Sequence, residues 1–185
     1  VCCDPRLVKA LPAKKKDSGS AKLIDLMQMV DDLLEEGRKI LVFSQFTSML
    51  ALIEEELRAR QIAYALLTGE TRDRTGQVAA FQRGDVPLFL ISLKAGGVGL
   101  NLTAAEYCFI LDPWWNPAAQ DQAADRAHRI GQDRTVMIHP IVALDSVEEK
   151  ILELQAVKRA LAAAAVGEGA VIPSLTRDDL LHLLA

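Results

Sequence analysis

The sequence predicts an α/β protein whose mainly parallel sheet carries helices on both faces. Two observations predict it. Short runs of strand-forming residues alternate with stretches of helical periodicity, which implies βαβ units and right-handed crossovers. The runs Phe89-Leu-Ile91 and Phe109-Ile-Leu111 are also apolar without interruption, as expected for strands covered on both sides.

Taken in order, Ala10–Ser20 mixes Pro, Ser and Gly with the lysine run Lys14–Lys16 and reads as a solvated linker. Leu23, Leu26, Met27, Val30, Leu33 and Leu34 then recur on one helical face, and Gly37 ends that helix. Lys39–Phe43 reads as a strand. The next helix turns Met49, Leu50, Ile53 and Leu57 inward and the Glu54–Glu56 cluster mostly outward. Ala63–Leu67 reads as a strand, Asp73–Arg83 as a helix, and Leu88–Leu93 and Tyr107–Leu111 as strands. Pro117–Ile130 reads as a helix with proline near its first turn, and Thr135–Ala143 as a strand. Ser146 with Glu149 forms a capping-box pattern opening a helix to about Ala165, and Thr176 with Asp179 opens a short final helix. The expected organisation is an incoming segment at 1–20, a sheet domain at 21–145 and a helical extension at 146–185.

Composition narrows the function classes. Half of the 185 residues are apolar and a quarter are charged, which is ordinary for a globular chain. Lys+Arg 21 against Asp+Glu 25 leaves a formal charge of −4, so binding of nucleic acid through bulk charge is excluded and a local patch is required. The longest apolar run, Ala160–Val166, is far short of the roughly 18 residues of a membrane span. No signal peptide opens the sequence and Val1 is not an initiator, so the chain reads as an intracellular piece of a longer protein. Cys2 and Cys3 are adjacent and Cys108 stands alone, while His128, His139 and His182 lie far from the pair. A four-ligand zinc site is therefore not expected, and the thiols read as reduced.

Chemistry is expected at the carboxyl ends of the strands. Ser92-Leu-Lys-Ala-Gly-Gly-Val-Gly-Leu-Asn101 falls there, where Gly96, Gly97 and Gly99 would let backbone approach a ligand, beside the cation of Lys94. The same glycines also suit a plain strand-to-helix turn. On the helix after Pro117, Gln122, Arg126 and Arg129 stand at i, i+4 and i+7 and share a face. Two guanidiniums one turn apart suit phosphate oxygens; an Asp125–Arg129 surface pair, worth about 0.3–0.5 kcal/mol, is the alternative. The sequence contains no G-x-x-x-x-G-K-[ST] loop, no Asp-Glu pair after a strand and no G-x-G-x-x-G turn. Phosphate-reading arginines without a P-loop make sense as a contribution to a nucleotide held by another domain.

Four motifs then resemble a known family: Leu41-Val-Phe-Ser-Gln-Phe46, Ser92-Leu-Lys-Ala-Gly-Gly-Val-Gly-Leu-Asn-Leu102, Asp112-Pro-Trp-Trp-Asn-Pro117 and Asp121-Gln-Ala-Ala-Asp-Arg-Ala-His-Arg-Ile-Gly-Gln132. Their succession resembles the second RecA-like lobe of Swi/Snf-type DNA-translocating ATPases of helicase superfamily two. The resemblance implies ATP in a cleft between two lobes, with the P-loop lysine and the Mg²⁺-binding acidic pair on the first lobe. It implies that Arg126 and Arg129 are arginine fingers, with Gln122 in the same motif. Gly97, Gly99 and Asn101 match the motif that faces the nucleotide. Lys94 and Trp115 match DNA-contacting positions, although Lys94 stands where the family often has arginine, so a bidentate fork is lost there. Gln45 belongs to a motif on the inner side of the lobe, and the helix after Ser146 resembles the brace that crosses the cleft. Strand alternation turns only one of Trp114 and Trp115 to the cleft, and the resemblance favours Trp115; His128 lies off the arginine face and reads as structural.

The implied partners are the first lobe, duplex DNA and a DNA-bound protein as remodelling target, with no membrane. The implied location is the nucleus in a eukaryote or the nucleoid-bearing cytoplasm otherwise. A non-catalytic docking lobe and an RNA-directed helicase lobe stand as alternatives.

Overall fold

The structure, a computed structural model, describes residues 3–7, 20–95, 100, 102–113 and 136–165, with backbone alone from 159 onward. After a 3₁₀ turn at Pro5–Leu7, its elements are α1 (Ala21–Glu35), β1 (Ile40–Ser44), α2 (Thr47–Ala59), β2 (Tyr64–Leu67), α3 (Arg74–Arg83), β3 (Leu88–Ser92), β4 (Tyr107–Ile110), β5 (Met137–Pro140) and α4 (Val147–Ala165). The five strands form one sheet in the order β2-β3-β1-β4-β5, and every pairing is parallel. The predicted fold class is therefore the observed one.

Strand alternation divides the core in two. Ile40, Val42, Leu88, Leu90 and Phe109 pack with Leu26, Met27 and Val30 of α1 and with Met49, Leu50, Ile53 and Leu57 of α2. Leu41, Phe43, Phe89, Ile91, Cys108 and Ile110 point to the other face and meet Phe81 of α3. Phe43, Phe81, Phe89 and Phe109 are completely or almost completely buried, a burial worth about 1.5–3 kcal/mol per side chain.

Local signals account for the element ends. Ser20, expected to be the last linker residue, is instead buried and caps α1 by accepting the Leu23 N–H at 3.2 Å. Gly37, at φ +70°, closes the same helix: its N–H reaches Leu34 O at 3.0 Å and the Arg38 N–H reaches Leu33 O at 2.9 Å. Asp73 caps α3 through the Gly76 N–H at 2.8 Å. At the other end of α3 the Lys39 ammonium donates to Phe81 O and Gln82 O at 3.2 Å each, complementing the helix dipole.

Two sequence expectations need correction. The strand expected over Thr135–Ala143 is paired only over Met137–Pro140. It is an edge strand, where a proline lacking an N–H is tolerated, and beyond Pro140 the chain turns because the Ala143 N–H and C=O bond to Glu148 and Ser146. The capping box at Ser146 also differs. The Ser146 hydroxyl accepts the N–H of Glu148, and the carboxylate that folds inward is Glu148 rather than Glu149. The helices expected at Pro117–Ile130 and from Thr176 lie outside the described residues.

Candidate functional site

In a parallel sheet the strand carboxyl ends make the ligand-binding edge, at the point where strand order reverses. Here β2 and β3 lie on one side of β1 and β4 and β5 on the other, so the reversal falls at the β1/β4 border. The Leu93 N–H donates to Ser44 O and the Leu111 N–H to Phe43 O, both at 3.0 Å. This register sets Ser44-Gln45, Leu93-Lys94 and Leu111-Asp112 along one edge. Lys94 is exposed there, directly after β3, and Gln45 is half-buried directly after β1.

Asp112 is the centre of this edge and is 2% exposed. Its Oδ2 accepts the Ser44 hydroxyl at 2.5 Å and the Gln45 N–H at 2.9 Å, and its Oδ1 accepts the Cys3 thiol at 2.7 Å. One carboxylate thus ties the ends of β1 and β4 to the N-terminal segment. That segment is held in turn by Ser20, whose hydroxyl donates to Cys3 O at 2.5 Å, and by a buried Asp4 that receives the Arg6 guanidinium through both oxygens at 2.9 and 2.8 Å. Beside Asp112 lies a buried ion pair. The Lys22 ammonium donates to Glu148 Oε2 at 2.6 Å and to Leu111 O at 2.7 Å, while Glu148 also accepts the Ala143 N–H at 2.9 Å.

Burial first, and then the charge and hydrogen bond of Asp112, push the Cys3 thiol upward, and burial alone pushes Cys108 up to about 12. Both are thiols at neutral pH, and the thiolate is the nucleophile. In native protein at pH 8, iodoacetamide is expected to leave Cys3 and Cys108 unmodified, whereas both are alkylated in urea. Peptide mapping of the labelled sites checks this, and rapid native labelling of either position would contradict it. Cys3 and Cys108 are both buried and free of a disulfide.

Cys3, Asp112 and Glu148 offer ligand atoms within 4.8 Å of one another, a grouping that spacing along the chain did not suggest. Its cation is already the Lys22 ammonium, and each oxygen of Asp112 is engaged by a donor. These carboxylates therefore do not fit Mg²⁺, which wants oxygen ligands and several waters around it.

Of the residues singled out by sequence, the structure brings Lys94 and Gln45 to one edge with the start of the Asp112-Pro113 motif. Gly97, Gly99, Asn101, Trp114, Trp115, Gln122, Arg126, His128 and Arg129 lie outside the described residues. Sequence reading missed Lys22, Ser44 and Glu148 as site residues and saw Asp112 only as the head of a motif. A signal existed for two of them: Ser44 and Asp112 are the polar residues that follow the apolar runs of the neighbouring strands β1 and β4.

The helicase conserved C-terminal domain family matches residues 21–131. The human helicase-like transcription factor is 43% identical over 175 residues, covering 89% of this chain and 17% of that protein. A Mycoplasma pneumoniae protein described as an uncharacterized ATP-dependent helicase is 38% identical over 168 residues, covering 89% of this chain and 16% of its own length. The chain thus spans less than a fifth of these relatives. Among solved structures, the Sulfolobus solfataricus SWI2/SNF2 ATPase core in complex with dsDNA aligns at TM-score 0.70 and 33% identity, over 91% of this chain and 36% of that one. The Sulfolobus solfataricus SWI2/SNF2 ATPase core domain aligns at TM-score 0.73 and 30% identity, over 98% of this chain and 38% of that one. By motif order, by its parallel sheet and by these likenesses, the chain belongs to the helicase conserved C-terminal domain family, as the RecA-like C-terminal lobe of a Swi/Snf-type superfamily-two ATPase.

Proposed function

We propose that this lobe is the second half of an ATP-dependent duplex-DNA translocase. The likeness to a SWI2/SNF2 core solved with dsDNA, over 91% of the chain, is the observation that carries the reading. In it, a first lobe of the same polypeptide holds ATP and Mg²⁺, and Gly97, Gly99, Asn101 and Gln122 of this lobe face the nucleotide across the cleft. Arg126 and Arg129 complete the site. During phosphoryl transfer, charge spreads over the γ-phosphoryl oxygens, and a guanidinium delivered late stabilises that state more than it stabilises bound ATP. Lys94, exposed on the carboxyl edge, anchors a DNA phosphate, and Trp115 provides an aromatic contact beside it. Because the arginines arrive with a moving lobe, hydrolysis follows closure, and DNA held across both lobes can drive closure. Grip and release in alternation move the motor along the duplex, against a DNA-bound protein as target. The location follows the DNA: the nucleus in a eukaryote, the nucleoid otherwise.

The divided site makes a direct test. The 185-residue chain alone is expected to show no ATP turnover above buffer, while the full-length protein turns over ATP and is stimulated by duplex DNA more than by RNA. Turnover by the isolated chain would overturn the divided site. Stronger stimulation by RNA would move the lobe to the RNA-directed branch, and a full-length protein without turnover would make it a docking module.

A further inference from the structure

The buried Lys22–Glu148 pair has no part in the roles assigned so far. Its placement runs against local preference. Lys22 sits in the first turn of α1, where the helix dipole disfavours a cation, and its side chain is only 3% exposed, where an ammonium loses its hydration. An interaction elsewhere in the fold must compensate for both, and the geometry shows which. The ammonium bonds at once to the last carbonyl before Asp112 and to a carboxylate in the first turn of α4. Glu148 in turn fixes the Ala143 N–H, so the chain between β5 and α4 is held by the same pair. Two departures from the sheet are thereby locked to one another: the Asp112-Pro113 exit from β4 and the start of the helix read as the brace.

We infer that Lys22 and Glu148 are positioning residues that couple the start of α4, the helix read as the brace, to the Asp112-Pro113 end of β4, so that closure of the lobes and contact with DNA move together. This rests on the translocase reading above. In this reading the pair acts through its hold on the Leu111 carbonyl and on the start of α4, rather than by contact with nucleotide or DNA. Apolar packing could fill the same volume, but it has no counterpart to the two directional bonds that the ammonium makes.

The test uses the full-length protein. Lys22→Met is expected to lower duplex-stimulated kcat roughly 2- to 30-fold, the range for residues that transmit coupling, with KM for ATP unchanged. It leaves a lone buried carboxylate, so its thermal midpoint falls as well. The double variant Lys22→Met/Glu148→Leu removes both charges and is expected to recover the midpoint, because a buried pair replaced by apolar groups is often neutral. Its stimulated kcat is expected to stay low. Recovery of both midpoint and stimulation in the double variant would reduce the pair to packing and overturn the inference, as would unchanged stimulation in Lys22→Met. Absence of duplex-stimulated turnover in the unsubstituted protein would overturn the translocase reading itself, and the coupling role with it.

Discussion

In the full-length protein, Arg129→Ala is expected to lower duplex-stimulated ATP turnover by about 10³–10⁵-fold while ATP still binds, the effect of losing an arginine finger. The split between binding and turnover follows from where the charge is needed. Bound ATP is held by the first lobe in the proposed arrangement, so the ground state barely registers the loss. The transition state spreads charge onto oxygens that face this lobe, so the barrier rises by roughly 4–7 kcal/mol. Stimulated kcat and the nucleotide dissociation constant of the variant check this together. Near-normal turnover would return Arg129 to a surface pair with Asp125. Loss of ATP binding in parallel with turnover would assign it to the ground state instead.

The second large effect is on stability. Asp112→Ala is expected to cost roughly 3 kcal/mol, because the buried Cys3 thiol and the half-buried Gln45 N–H lose their acceptor and the buried Ser44 hydroxyl keeps only the longer bond to Phe46 O at 3.3 Å. Asp112→Asn keeps one acceptor oxygen for Ser44 and Gln45 and turns an amide toward the sulfur, so its loss is expected to be smaller. Urea unfolding at constant m-value separates the two through their midpoints. A loss under about 0.5 kcal/mol for the alanine variant, the range of an ordinary surface change, would show that Asp112 is no structural centre.

Much of the fold was legible along the chain. The α1 face from Leu23 to Leu34, the stop at Gly37 and the inward set Met49, Leu50, Ile53 and Leu57 all follow from periods and caps within a few residues. Errors arose where neighbours in space compete with neighbours in sequence. The apolar stretch around Ile141 and Val142 looks like strand, yet the side chains of Ser146 and Glu148 capture the backbone of Ala143 and end the pairing. Glu149 has the spacing of a capping box, but Lys22 offers Glu148 a stronger partner. At the candidate site, Lys94 was legible because a cation after a buried strand falls on the carboxyl edge. Lys22 was not, since nothing in its own helix explains it.

The amino-acid sequence by itself determined the kinds of element, their order and the parallel sheet, because periodicity, caps and the βαβ rule act over short separations. Only the tertiary structure decided that Cys3 meets Asp112 across 109 positions and Lys22 meets Glu148 across 126. The physical reason is strand order. Placing β4 beside β1 brings their ends into register, and the polar groups there, shut off from water, must satisfy one another.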